Sequence, residues 1–337
     1  MNADYIIRLD FFKGLSNVVK SELEEYQDIS IIRETDESIY IQFIEPFSTL
    51  CFLRSVLRVY VISEDKKYTP RYVANHKSIA GNLISYVLQN SSDDFRTHKI
   101  VCAGSDSPEV RSIAEYIQET YNLTEADDAD LKLYIIKPYD SWQVGVEITA
   151  RPLSVRDYKV ENMSGAMDPT IAYAVNQLAN LSNACSYLNV FSGSATLLIE
   201  AGLQYKNLEE LVGFDNNKKH LSLAIQNIKK AGLIRKIRLH EKDILQKPRE
   251  LGTYDAITSD LPFGMSISKD EDLSKLYKAF VDYCADSLNP KGTLVAYTNQ
   301  VDLFERIINQ SKFKVIKTVE LRYHAYLKPK IFVCKLK

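Results

Sequence analysis

The alternation of apolar and polar positions changes character halfway along the chain. In the first half, Tyr5 to Leu9 has the two-residue period of a strand and Leu15 to Tyr26 has helical spacing. Ile29 to Arg33 with Ser38 to Ile44 predicts a hairpin around Glu34 to Glu37. Phe47 to Leu57 predicts a helix and Arg58 to Ile62 a strand, completing the order of a ferredoxin-like unit over 1–62. A second α+β unit over 63–150 follows, with helices at Ala74 to Gln89 and Pro108 to Tyr121 and a strand at Lys99 to Ala103. Its last strands, Leu131 to Lys137 and Ser141 to Ile148, are joined through Pro138-Tyr139-Asp140 as a hairpin.

Periodicity fades between Ala150 and Asp168, and 151–168 is expected to link the halves. From 169 to 337, a helix at Pro169 to Leu181 precedes strands at Tyr187 to Phe191, Leu211 to Phe214, Ile237 to His240, Ala256 to Ser259, Thr293 to Tyr297, Lys314 to Leu321 and Ile331 to Leu336. Helical patterns separate the first six, the signature of an α/β doubly wound parallel sheet. Only a loop with Pro329 separates the last two, which predicts an antiparallel pair at one edge. A Rossmann-like, seven-stranded sheet with an antiparallel last strand is the class I methyltransferase pattern, not that of a typical dinucleotide-binding fold.

Composition narrows the setting. With 337 residues, 45% hydrophobic and 26% charged, the chain is expected to be a globular protein of two ordinary domains. No apolar run approaches the ~20 residues that cross a bilayer. Met1 to Gly14 carries Asp4, Arg8 and Asp10 where a secretory leader would be apolar, so a cytoplasmic location is expected. The five cysteines and five histidines are scattered, which predicts neither a disulfide framework nor a metal site. A formal net charge of −2 means that any nucleic-acid surface is a local patch. Candidates are Arg54, Arg58, Lys66, Lys67 and Arg71, and Lys312, Lys314, Lys317, Arg322, Lys328 and Lys330. Each cluster reads equally as a solvated face.

In a doubly wound sheet, ligands lie beyond the C-terminal strand ends. After the first strand, Asn189 to Leu197 contains Ser192-Gly193-Ser194-Ala195-Thr196, small residues suited to close backbone approach or simply to a tight turn. Asp215 closes the second strand about 20 residues on, where an acid can accept ribose hydroxyls. After the third strand, Asp243 and Ile244 either meet an adenine or cap the next helix. After the fourth comes Asp260-Leu261-Pro262-Phe263-Gly264. An exocyclic amine is a poor nucleophile that turns cationic when alkylated. Asp260 and the Leu261 carbonyl supply acceptors for it, Pro262 shapes the turn, and Phe263 offers a stacking face.

These residues resemble THUMP-domain RNA methyltransferases that make N2-methylguanosine. In the first half the resemblance rests on Phe12-Lys13-Gly14-Leu15 and on Gln143-Val144-Gly145-Val146 running into Arg151-Pro152-Leu153-Ser154-Val155-Arg156-Asp157-Tyr158. In the second it rests on Met163 to Thr170, Asn189 to Thr196 and Asp260 to Phe263. It implies S-adenosyl-L-methionine as cofactor, held by Ser164, Thr170, Asn189, Ser192, Gly193, Ser194, Ala195, Thr196, Asp215, Asn216, Asp243 and Ile244, with Asp260 to Phe263 catalytic. It also implies a THUMP RNA-binding domain over 63–150 that holds the 3′ end of a tRNA. The implied target is an acceptor-stem guanosine at position 6, flipped into the pocket, and a monomer is expected. The chain departs from the family in carrying Asn189-Val190 for Asp-Pro, and Ala195 where a second glycine is usual. Alternatives are methylation of another exocyclic amine in RNA, such as guanine N2 in rRNA or adenine N6, and an RNA-binding protein without catalysis.

Overall fold

The computed structural model describes residues 5–27, 29–43, 47–65, 67–104, 106–137, 141–248, 252–264, 270–322 and 328–337. Ile44, Lys66, the Pro138-Tyr139-Asp140 turn and His324 lie outside them. The chain divides into two compact units, one of residues 1–11 and 19–154, the other of residues 12–18 and 155–337.

In the first unit the elements run β1 (Ile6–Asp10), α1 (Ser16–Leu23), β2 (Ile29–Glu34), β3 (Ser38–Phe43) and β4 (Arg58–Ser63). Then come α2 (Val73–Asn75), α3 (Gly81–Asn90), β5 (Thr97–Cys102), α4 (Pro108–Tyr121), β6 (Thr124–Glu125), β7 (Leu131–Ile136) and β8 (Gln143–Glu147). A π-helical stretch, His76–Ala80, joins α2 to α3. One sheet holds all eight strands in the order β2-β3-β1-β4-β8-β7-β5-β6. The ferredoxin-like strands and the strands that follow therefore share a ladder, with Tyr60 of β4 opposite Glu147 of β8. Between β3 and β4 the expected helix is reduced to the 3-10 turn Phe47–Phe52. Glu22 explains the early stop, because its carboxylate accepts the backbone N–H groups of Arg54 (2.7 Å) and Ser55 (2.9 Å), donors that a longer helix needs.

One face of this sheet carries a polar network. The Arg8 guanidinium lies 4.2 Å from the Tyr60 ring centre and donates to Gln143 at 2.8 Å. Arg58 pairs with buried Glu147, whose carboxyl burial pushes upward despite that partner. Arg58 is thus committed within the fold, whereas Lys67 and Arg71 of the same sequence cluster are exposed.

In the second unit, α5 (Pro169–Leu178), β9 (Ser186–Val190), α6 (Thr196–Gln204), β10 (Glu210–Asp215), α7 (Lys218–Lys230), β11 (Ile237–Glu241) and β12 (Tyr254–Asp260) precede α8 (Asp270–Ser287), β13 (Leu288–Thr298), α9 (Val301–Asn309), β14 (Phe313–Glu320) and β15 (Lys330–Leu336). The start signals are legible in the chain. Asp168 caps α5 ahead of Pro169, and Asn217 caps α7 by accepting from the Lys219 N–H. The sheet order is β11-β10-β9-β12-β13-β15-β14, with β15 antiparallel to both neighbours. Strands β9, β10 and β12 are buried on both faces, hence their continuous apolar runs. Of the helix expected between the third and fourth strands, the described residues of the connection show only a 3-10 turn, Ile244–Gln246. Tyr254, Tyr277, Phe280, Phe304 and Phe332 fill the core on the α8 and α9 side.

The Phe12-Lys13-Gly14-Leu15 motif belongs to this second unit. The Arg322 N–H reaches the Lys13 carbonyl at 3.3 Å, and Gly14 has φ +103°. A β-carbon on Gly14 would lie 2.1 Å from the Glu320 carbonyl oxygen. Only glycine both adopts this dihedral freely and allows that approach. Gly14→Ala should therefore lower stability by about 3 kcal/mol, a fall in Tm on the order of 5 °C. Gly232→Ala, at φ +74° with no atom within 4 Å of its β-carbon, should lose only about 1 kcal/mol. Parallel thermal melts check both, and equal losses would remove the clash as the cause.

Candidate functional site

The strand order reverses between β9 and β12, and a cleft of about 280 Å³ opens at their C-terminal ends. Ser164, Asn189, Ser192, Gly193, Ser194, Thr196, Asp215, Asp260, Leu261, Pro262 and Phe263 line it together. Thr170, Ala195, Asn216, Asp243 and Ile244 do not. Ile244 is buried in the core, and Asn216 is exposed. Of the two readings open for Asp243, the structure displays the cap, as its Oδ1 accepts the Leu245 N–H at 3.0 Å. Among the described residues no His, Cys, Asp and Glu cluster converges for a metal ion.

Each wall has a local cause. At the end of β9, buried Asn189 donates through Nδ2 to the carbonyls of Val190 (3.2 Å) and Thr258 (3.1 Å). This fixes the amide orientation and leaves Oδ1 buried without a partner. The following turn holds Phe191, Gly193 and Ala195 in the left-handed region, at φ +56°, +50° and +65°. For Phe191 and Ala195 that conformation is strained, a cost the surrounding bonds must hold. The Ser192 N–H bonds to the Phe214 carbonyl at 3.0 Å, and the Gly193 N–H to Asp215 Oδ2 at 3.0 Å. Ser192 Oγ is buried and unpartnered. Asp215 is thus held by the turn on one side, and on the other by the Asn217 N–H at 2.9 Å and His220 Nδ1 at 3.4 Å.

The opposite wall follows β12. Asp260 is partly exposed to the cleft. Loss of hydration pushes its carboxyl up to about 7. The next residues are held from behind. The Leu261 N–H donates to the Tyr297 carbonyl (2.9 Å), the Tyr277 hydroxyl donates to the Pro262 carbonyl (2.8 Å), and Gln300 Nε2 donates to the Phe263 carbonyl (2.9 Å). The two carbonyls that follow Leu261 are thereby occupied. The Phe263 ring lies 5.9 Å from Tyr297, tilted by 54°.

Sequence reasoning missed four contributors. His220 lines the cleft and touches Asp215. Met163 lines it against the glycine turn. Tyr277 and Gln300 stand behind the Asp260 loop. Only Met163, which opens the quoted motif Met163 to Thr170, had a local signal. His220 and Tyr277 reach the site from α7 and α8, whose spacing reports packing alone, and Gln300 from the turn before α9.

The residues present fit an amino-acid nucleoside such as S-adenosylmethionine. Two buried oxygens, Asn189 Oδ1 and Ser192 Oγ, lack donors that an ammonium would supply. The Asp215 carboxylate, oriented by two backbone N–H groups, is placed to accept ribose hydroxyls.

Known proteins agree with this architecture. Residues 156–328 match the UPF0020 family model, described as an RMKL-like methyltransferase domain. A tRNA (guanine(6)-N2)-methyltransferase of Thermus thermophilus is 28% identical over 208 residues, covering 60% of this chain and 60% of that protein. A U6 snRNA (guanine-N(2))-methyltransferase of Bos taurus, THUMPD2, is 29% identical over 133 residues, 40% of this chain and 26% of that protein. The chain thus spans well under the full length of these curated relatives. The crystal structure of TrmN from Thermus thermophilus superposes with a TM-score of 0.78 at 20% identity, over 99% of this chain and 100% of that one, and shows the same fold. With over half of its residues under the family model and the fold in agreement, the chain belongs to the UPF0020 family of RMKL-like methyltransferase domains.

Proposed function

We propose that this chain is an S-adenosylmethionine-dependent methyltransferase acting on N2 of a guanosine in RNA, with the acceptor-stem guanosine at position 6 of a tRNA as its target. The observation that carries the reading is the placement of Asp260, a carboxyl partly exposed to the cleft and followed by a loop held by three hydrogen bonds, across one cleft from the unpartnered oxygens of Asn189 and Ser192. The two guanine-N2 relatives, one acting on tRNA and one on U6 snRNA, support the base more strongly than the RNA. The segment before Arg151 then serves to hold the RNA.

When bound, the cofactor supplies an electrophilic methyl group. Asn189 Oδ1 and Ser192 Oγ accept from its ammonium, and Asp215 accepts from its ribose. Asp260 and the Leu261 carbonyl accept the two amine hydrogens of the flipped guanine, which aims the nitrogen lone pair across the cleft. Phe263 stacks on the base. As the amine nitrogen becomes cationic, the Asp260 carboxylate opposes that charge in a site with little water. No strong base is required, since an alkylated ammonium is far more acidic than the amine. Asp260 takes the proton or passes it to water.

Nucleoside mass spectrometry of unmodified tRNA transcripts, incubated with protein and S-adenosylmethionine, tests the reading. N2-methylguanosine at position 6 is the expected product. Methyladenosine or methylcytosine would instead assign another exocyclic amine. No detectable cofactor binding by folded protein would favour an RNA-binding role.

Asp260 gives a second test. Its ionised form is the stronger acceptor and the one that opposes the charge developing on nitrogen, so single-turnover transfer should rise with pH and level off above about 7. Asp260→Ala should remove most turnover and leave cofactor affinity nearly unchanged. The sign for stability is opposite. The folded-state value lies above the unfolded one, so the protonated form favours folding, and this contribution disappears as pH rises through about 7. Asp260→Asn, which never carries the buried charge, should be more stable than wild type by on the order of 2 kcal/mol at pH 8, with the gain vanishing toward pH 4. Denaturant melts across that range check it, and a constant difference would dissociate Asp260 from the titration.

A further inference from the structure

The Arg156-Asp157-Tyr158 end of the quoted motif has no part in the chemistry above, yet it meets a fully buried charge. Glu200, in the second turn of α6, has no exposed surface. Its Oε1 accepts from the Tyr158 hydroxyl at 2.8 Å and from Arg156 Nε at 3.3 Å, and the Arg156 side chain is only 10% exposed. A carboxylate so placed is tolerated only with charge-assisted partners, and a well-packed apolar contact would join the same segments at lower cost. What the ionic contact adds is direction, since it permits one geometry.

That geometry concerns the strap running from Val155 to Asp168. Beyond Tyr158 the strap is tied twice more. Glu161 N–H donates to Asn227 Oδ1 at 3.0 Å, and Asn227 Nδ2 returns to the Glu161 carbonyl at 3.2 Å. Lys159 Nζ donates to the Met167 carbonyl at 3.2 Å, drawing the two ends of the strap together. Asp168 then caps α5. Between these ties, Met163 to Met167 line the cleft. Met163 Cε lies 3.0 Å from where a β-carbon on Gly193 would be, so the strap rests on the glycine turn itself. Helix α6 begins at that turn, and Glu200 therefore connects the wall of the cleft to its cover.

We propose that Arg156 and Tyr158, converging on Glu200, form a clasp that sets the Met163–Met167 strap over the methionine end of the cofactor site. Glu200 is then a positioning residue for cofactor binding. The inference rests on the reading of the cleft as an S-adenosylmethionine site. The clasp touches neither the Asp260 loop nor the target base, so its loss should appear in cofactor affinity and spare the chemical step.

Calorimetric titration of the full chain with S-adenosylhomocysteine tests this, alongside single-turnover transfer at saturating cofactor. Tyr158→Phe deletes one hydrogen bond and keeps the ion pair, and should weaken binding roughly 3- to 10-fold. Glu200→Gln removes the charge that compensates Arg156 and should weaken it roughly 10- to 100-fold. Both should keep transfer at saturating cofactor within about twofold of wild type. Asn289→Ala is the control. It removes a 2.7 Å bond to Asp255 at the opposite ends of the strands, and should lower Tm while leaving affinity within about twofold. Wild-type affinity in Tyr158→Phe would overturn the clasp, even if Glu200→Gln does not fold. So would an affinity loss in Asn289→Ala that scales with Tm as it does in the clasp variants. Failure of the wild-type chain to bind S-adenosylhomocysteine would instead bring down the functional reading, and the clasp with it.

Discussion

Where β9 lies beside β12 the strand order reverses, and the cleft opens at the C-terminal ends of this pair. The buried Asn189 amide spans the pair, donating along β9 to Val190 and across to Thr258 of β12. The rest of the site depends on this bridge. It sets the point at which β9 gives way to the strained turn, and the turn's Gly193 N–H in turn orients Asp215. Ser259 Oγ adds a second tie from β12 to the Val190 carbonyl at 2.9 Å, immediately before Asp260. The two walls are thus registered against each other by side chains buried between the strands. The loops that carry the chemistry inherit their separation from the sheet.

The second unit was legible to the level of its seven strands and the antiparallel pair at one edge because its signals are local. Fully buried parallel strands read as unbroken apolar runs, and Asp-Pro and Asn caps mark the starts of α5 and α7. What could not be read was of longer range. Glu22 ends the 3-10 turn after β3 from over thirty residues away in sequence, and β6, two residues long, has no pattern of its own. The segment taken for a linker illustrates the same limit. Its lack of periodicity was real, but it arises because 155–168 is held by side chains to three helices and not by a ladder. Residues read as lying at strand ends do line one cleft, because the strands end side by side. His220 and Tyr277 enter from helix faces and Gln300 from the turn before α9, and no spacing distinguishes them from ordinary packing. Asp243 shows the converse, a residue in the expected place whose side chain satisfies the backbone.

Glu200 and Asp260 have opposite arrangements. Glu200 is surrounded by donors and an arginine, so its charge is stabilised and its position fixed. Asp260 has no cationic partner among the described residues, and loss of hydration raises its carboxyl to about 7. The first arrangement suits a joint. The second leaves a carboxylate whose lone pairs are not already engaged by arginine, and a group that loses stability when ionised gains most from a ligand that offers donors. On the proposed reading that ligand is an amine, and its developing positive charge makes the interaction stronger in the transition state than in the ground state.

Asn189, where the family usually carries Asp, is subject to the same electrostatics. Placing a second carboxylate at the end of β9 would put like charge across the cleft from Asp260 and beside Asp215, raising the cost of ionising all three. The amide removes that repulsion while keeping an acceptor, and its Nδ2 spans the strand gap, which a carboxylate cannot do because it has no donor. On the proposed reading, ammonium recognition falls to neutral oxygens, Asn189 Oδ1 and Ser192 Oγ, whose contribution depends on being dry and correctly aimed rather than on charge. Weak, directional acceptors of this kind gain from a cover that excludes water. The strap from Met163 to Met167 is the element placed to provide it, so the loss of charge in the wall and the rigid attachment of the cover are two parts of one physical arrangement.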